Sequence, residues 1–109
     1  MSERKQRIAE NEALFRSVNE QVQAVEESFA MPADVIVAVC ECGDQSCLER
    51  IPLRPAEYER IRSNPLHFVV KPGHDAPEAE RPVVENDRYW IVEKDPGVPD
   101  LIARATDPR

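Results

Sequence analysis

The sequence predicts an α+β fold in which a long N-terminal helix precedes a small, mostly antiparallel sheet carrying one short helix. Three observations predict it. No glycine or proline occurs before Pro32, and apolar residues recur there at helical spacing. Short β-branched runs then alternate with turns marked by proline, glycine and asparagine. Between the first two of those runs, all three cysteines fall within eight residues. At 109 residues, 41% hydrophobic and 32% charged, the chain suits one globular core.

The helix is expected over about the first thirty residues, with Ser2 as its cap and Glu3 near the positive end of its dipole. Ile8, Phe15, Val18, Val22, Val25 and Phe29 are spaced 7, 3, 4, 3 and 4, a heptad seam in which Asn11 is the polar member. Such a stripe calls for a cover. The cover is the protein's own sheet, the same helix of a second copy in a coiled-coil homodimer, or a partner helix. Met31-Pro32 ends the helix, because Pro32 disfavours helical geometry before it. Residues 35–40 are β-branched and apolar throughout, which predicts a strand buried on both faces. Gly43 to Ser46 supply a turn, and residues 48–53 return as a second strand. Pro55 opens a short helix over residues 55–62, with Tyr58, Ile61 and Leu66 facing inward. His67-Phe68-Val69-Val70 is a third strand, and residues 72–82 form a long loop. Residues 83–85 and 89–92 make a terminal hairpin about Asn86-Asp87, and residues 100–105 allow a helical turn or two. The organisation is therefore an amphipathic helix for packing or dimerisation (1–31), an α+β domain (32–95) and a proline-rich tail (96–109).

An odd number of cysteines without a secretion signal does not read as a disulfide framework. Cys40 and Cys42 are two apart, so on extended chain both sulfurs project from one face. Cys47 follows after a turn that can aim a third sulfur at the same point, and Gly43 lets the backbone fold tightly beneath. Three thiolates need one further donor to close the tetrahedron of structural zinc. His74, at the head of the long loop on a Pro-Gly turn, is favoured; His67, a carboxylate such as Asp44, or a water are the alternatives. The predicted metal ligands are thus Cys40, Cys42, Cys47 and His74, and the domain is zinc-stapled. A chance trio of buried cysteines or a catalytic thiol is the competing account, the latter opposed by Glu41 and Asp44, which would raise a thiol pKa. A [2Fe–2S] cluster is the minor alternative to zinc. Proteins that hold one with three cysteines and a histidine keep the third cysteine and the histidine close, whereas 26 residues separate Cys47 from His74.

A formal net charge of -7, from 21 acidic and 14 basic residues, argues against direct nucleic-acid binding. The longest apolar run is too short to cross a bilayer and the chain opens with polar residues, so a cytoplasmic location is expected. No nucleophile–base pair, phosphate-cradling loop or cofactor fingerprint is present in a chain with three glycines. The expected function is a non-enzymatic, zinc-stabilised interaction or regulatory accessory protein, with the seam from Ile8 to Phe29 meeting a protein partner or a second copy. A thiol/zinc redox switch is the alternative, and a small enzyme a weaker one.

The run Arg7-Ile8-Ala9-Glu10-Asn11-Glu12-Ala13-Leu14-Phe15-Arg16 with Val18-Asn19-Glu20, the cluster from Cys40-Glu41-Cys42 to Cys47, and Phe68-Val69-Val70 leading to Pro72-Gly73-His74 carry a resemblance. On these residues the chain, over 3–95, resembles a family of short uncharacterised bacterial proteins. The resemblance implies the architecture and no named activity. The His-x-x-x-Cys-x-x-Cys helical motif of zinc-binding anti-sigma factors does not occur in the sequence.

Overall fold

The computed structural model of the protein describes residues 3–27, 35–44 and 46–109, with side chains in the first helix through residue 24. Its elements in chain order are α1 (Glu3–Glu27), β1 (Ile36–Val39), β2 (Arg50–Leu53), α2 (Pro55–Arg62), β3 (His67–Val70), β4 (Glu80–Glu85), β5 (Trp90–Lys94) and α3 (Val98–Ala105). The fold is α+β, as expected. The Ser2 cap, the Met31-Pro32 stop, Phe29 and the Val25 side chain lie outside the described residues.

β1 and β2 form an antiparallel pair with Ile36 opposite Leu53 and Val39 opposite Arg50. The second sheet is antiparallel in the order β3-β5-β4. The two sheets join where the Glu41 N–H donates to the Val69 carbonyl at 2.8 Å. One core fills the space between them, with Ile36, Ala38, Ile51 and Leu53 meeting Phe68, Val70 and Val92. Tyr58 and Ile61 of α2 complete it, since Pro55 starts that helix and the Glu57 carboxylate accepts from the Arg54 N–H at 2.9 Å.

Several boundaries differ from the sequence expectation, each for a tertiary reason. β1 is buried on one face only: Ile36 and Ala38 are covered, while Val37 is 54% exposed among the described residues. β2 starts at Arg50, leaving Leu48 81% exposed in the preceding loop. β4 starts at Glu80, inside the expected loop. Pro82 fits there because β4 is an edge strand with a register shift between Pro82 and Val84. β5 runs on to Lys94, whose side chain is buried rather than solvated. The tail forms α3 from Val98, two residues earlier than expected, and α3 packs on α1.

The orientation of α1 is the main departure. Its buried face carries Ile8, Ala9, Glu12, Ala13, Arg16, Asn19 and Gln23, a stripe at helical spacing that is mostly polar beyond its first turns. Of the apolar seam, Ile8 is buried in the protein's own fold, Phe15 and Val22 are half-buried, and Val18 is exposed beside Leu14 at 56%. Each buried polar group meets a partner from distant sequence. Arg16 donates to the carbonyls of Pro65 at 2.6 Å and Ala103 at 2.7 Å, with its guanidinium 4.4 Å from the Phe68 ring centroid. Glu20 accepts from the buried Arg62 at 2.5 Å, and Arg62 also pairs with Asp107. Glu12 of α1 and Glu80 of β4 both meet Lys94 of β5, the Glu80 contact at 2.5 Å, with all three side chains fully buried. Buried polar groups matched this way contribute orientation where an apolar face would slide. Among the described residues no helix is long and apolar enough to cross a membrane.

Candidate metal centre

The hairpin of β1 and β2 sets the first part of the site. The ladder continues one step past β1, with the Cys40 N–H donating to the Glu49 carbonyl at 3.1 Å, so the chain stays extended as it leaves the strand. Cys40 and Cys42 therefore project their sulfurs to one side. The chain then reverses. The Cys47 N–H donates to the Asp44 carbonyl at 3.1 Å, and Asp44 Oδ1 accepts from both the N–H and the hydroxyl of Ser46. This turn returns the third sulfur toward the first two.

The histidine arrives from β3. Lys71-Pro72-Gly73-His74 is a closed turn in which the His74 N–H donates to the Lys71 carbonyl at 2.9 Å. Gly73 has φ of 81°, the left-handed value that the third residue of a type II turn requires, with Pro72 preset at the second. The Pro-Gly pair thus holds His74 in a defined place. Cys40, Cys42, Cys47 and His74 come together with one donor atom each, all within 4.8 Å of one another. His74 Nδ1 is 3.6 Å from Cys40 Sγ and 3.7 Å from Cys47 Sγ. His67, at the other end of β3, instead bonds Glu93 at 3.1 Å and Asn64 at 3.3 Å. Asp44 is engaged by Ser46, which holds its carboxyl below the ordinary carboxylate range.

The three thiols are electrostatically linked. The Cys40 thiol donates to Cys42 and holds it down at about 5; the same bond, with burial, pushes Cys40 up. Burial pushes Cys47 up as well. One thiolate forms readily here, and the other two resist charging beside it. A divalent ion relieves that repulsion. Backbone donors already serve the charged forms: the Lys71 N–H lies 3.2 Å from Cys40 Sγ, and backbone hydrogen bonds at Asp44 and Glu49 favour the thiolates of Cys42 and Cys47.

Sequence reasoning missed the residues that hold this segment from behind. Glu41, read there only as an acidic neighbour, is fully buried. One of its oxygens accepts from Asn19 Nδ2 at 2.6 Å and the other from the Val69 N–H at 3.0 Å. Burial pushes its carboxyl up to about 7, against those hydrogen bonds. Gly43 touches α1 directly: a methyl added to it would lie 2.7 Å from Ile8 Cγ2. The signal available in the sequence was the parity of the segment, with cysteines at even positions and Glu41 and Gly43 at odd ones. Beside Cys42 and His74 a cleft of about 570 Å³ opens between these loops and the start of α1, its mouth bridged by Arg4 and Glu78 at 2.9 Å.

Fold and site together define a small α+β protein with a three-cysteine, one-histidine cluster that can hold a metal ion. No family model, curated protein or solved structure matches the chain.

Proposed function

We propose that the cluster binds one structural zinc ion and that the protein is a non-enzymatic interaction or regulatory accessory protein of a reducing compartment, the cytoplasm. The single observation that carries the zinc assignment is the spacing of the donors. Zinc–sulfur and zinc–imidazole bonds at tetrahedral angles place sulfur and nitrogen about 3.6 Å apart, and the contacts of His74 Nδ1 with Cys40 and Cys47 are 3.6 and 3.7 Å. A cage with all donors within 4.8 Å suits a single ion better than a two-iron cluster, whose ligands are divided between two metal atoms. Four protein donors leave no position for substrate, and three thiolates on a divalent ion make a poor Lewis acid, which favours a structural role.

Zinc content decides this. Purified without a histidine tag, the protein should carry about one zinc per chain, and cobalt substitution should give the intense visible bands of a tetrahedral thiolate site. His74→Ala should lose the metal while His67→Ala keeps it. A metal-free protein that takes up no zinc, or the reverse order of the two histidine variants, would refute the assignment.

The interaction role is supported by the apolar residues that α1 and β1 leave exposed, Leu14, Val18, Val35 and Val37, alongside half-buried Phe15 and Val22. The proposed partner is a second copy of this chain, paired through the α1 seam from Phe15 onward. A dimer should be measured by light scattering at tens of micromolar, and Phe15→Asp with Val22→Asp should convert it to a folded, zinc-containing monomer. A wild-type monomer at that concentration sinks self-pairing.

A further inference from the structure

We propose that residues 39–43 couple metal occupancy to the docking of α1, one face of this segment holding the ion and the other holding the helix. The coupling rests on the metal assignment above and extends it to what the metal controls. The observation is an alternation. Even positions carry the sulfurs, Cys40 and Cys42. Odd positions carry the helix. The Val39 N–H donates to Asn19 Oδ1 at 2.7 Å, and the Val39 carbonyl accepts from Asn19 Nδ2 at 2.9 Å. The Glu41 carboxylate accepts from the same Nδ2 at 2.6 Å, and the Gly43 carbonyl accepts from Asn11 Nδ2 at 3.0 Å.

Period-two geometry makes the two faces inseparable. For Cys40 and Cys42 to converge on one ion the segment must be extended, and that same extension places the polar groups at 39, 41 and 43 in register with Asn19 and Asn11. Those asparagines are eight residues apart on α1, about 2.2 helical turns, so they sit on neighbouring stripes of the helix and both reach the segment. Gly43 permits the close approach, Ile8 lying where any side chain would have to go. The helix depends on this register because its buried face beyond the first turns is mostly polar, Glu12, Ala13, Arg16, Asn19 and Gln23, and Asn19 finds its partners on this segment. α1 also forms one wall of the cleft beside Cys42 and His74, so undocking opens the metal loops to solvent. Release of the ion and release of the helix are then one opening, and a chelator or an oxidant of the thiolates frees α1.

Native-state amide exchange in zinc buffers tests this on the full, folded chain. The buffers span a hundredfold range of free zinc, all of it saturating. An amide whose exposure requires loss of the ion becomes better protected in proportion to free zinc, whereas one that opens with the ion in place does not. Amides of residues 12–19 should slow about tenfold for each tenfold rise in free zinc while still exchanging well ahead of the amides of β3 and β5, which open only when the whole fold does. Zinc-independent exchange in α1, with responding amides at residues 40–47, overturns the coupling and leaves the metal assignment intact. The same slope with the same protection throughout the chain also overturns it, since the ion then reports only overall stability. A chain that takes up no zinc removes the assignment and the coupling together. Linkage supplies the reciprocal measurement: Asn19→Ala should weaken zinc about tenfold in competition with a chromophoric chelator, and Val92→Ala, a core truncation in β5, less than threefold. Equal weakening in both variants overturns the coupling.

Discussion

Stripping the metal from the zinc-loaded protein should lower its thermal midpoint by more than about 20 °C. Structural zinc contributes apparent binding energies of about 10–16 kcal/mol in small domains, comparable to the whole stability of about 5–15 kcal/mol typical of a folded chain. Each kcal/mol moves the midpoint of a domain of this size by about 4–8 °C. The loss should be large because the site joins segments that are distant along the chain. Cys40 and Cys42 follow β1, Cys47 leads toward β2, and His74 follows β3, so the ion links the two sheets at their open ends. Without it, burial and the neighbouring sulfurs disfavour charge on Cys40 and Cys47. Cys42→Ser, grown with zinc, should match the stripped wild type, since serine keeps the size and loses the thiolate. Calorimetry with elemental analysis on the same samples decides the matter. A demonstrably metal-free protein melting within a few degrees of the loaded one would show that the site contributes no folding energy.

Lys94→Met should cost about 3–5 kcal/mol, the usual loss when one partner of a buried ion pair is removed, and Glu12→Gln should cost less than about 1 kcal/mol. Lys94 lies between two fully buried carboxylates, Glu12 and Glu80, and its ammonium lies 5.0 Å from the Phe68 ring centroid. Burial pushes Glu80 up and Lys94 down, disfavouring the charge on each, and the direct contact between them offsets that cost. Methionine fills the lysine stem but leaves two carboxylates facing each other without a counter-charge. Glutamine at position 12 keeps the Lys94–Glu80 pair and an oxygen acceptor for Lys94. It also removes a surplus buried charge, on a carboxylate whose Oε2 has no hydrogen-bond partner among the described residues. Urea denaturation of the three zinc-loaded proteins gives the comparison. If Glu12→Gln proves as costly as Lys94→Met, both carboxylates are needed as charges and the asymmetry fails.

Most local elements were legible from residue order because local chemistry sets them. α2 spans Pro55–Arg62 and β3 spans His67–Val70, as their prolines and apolar runs predict. The site was legible for the same reason: Cys-x-Cys on extended chain, a turn before Cys47, and a histidine on a Pro-Gly turn are short-range devices. Boundaries failed where a residue's role depends on a distant neighbour. Pro82 reads as loop until β4 is known to be an edge strand, and the last strand reads as ending at residue 92 until Lys94 is seen between two carboxylates.

By itself the sequence determined an α+β chain, a long first helix and a three-cysteine, one-histidine cluster. Only the tertiary structure decided which face of that helix is inside. The apolar spacing from Ile8 to Phe29 pointed to the valine and phenylalanine seam, yet Glu12, Arg16, Asn19 and Gln23 are the residues that turn inward. Hydrophobic periodicity measures the cost of leaving a side chain in water and carries no information about which polar groups will find partners. Those partners are the Val39 backbone, the Glu41 carboxylate, the Pro65 and Ala103 carbonyls and the Lys94 ammonium. They lie from 20 to 87 positions away along the chain, and hydrogen bonds over such separations exist only once the sheets have formed.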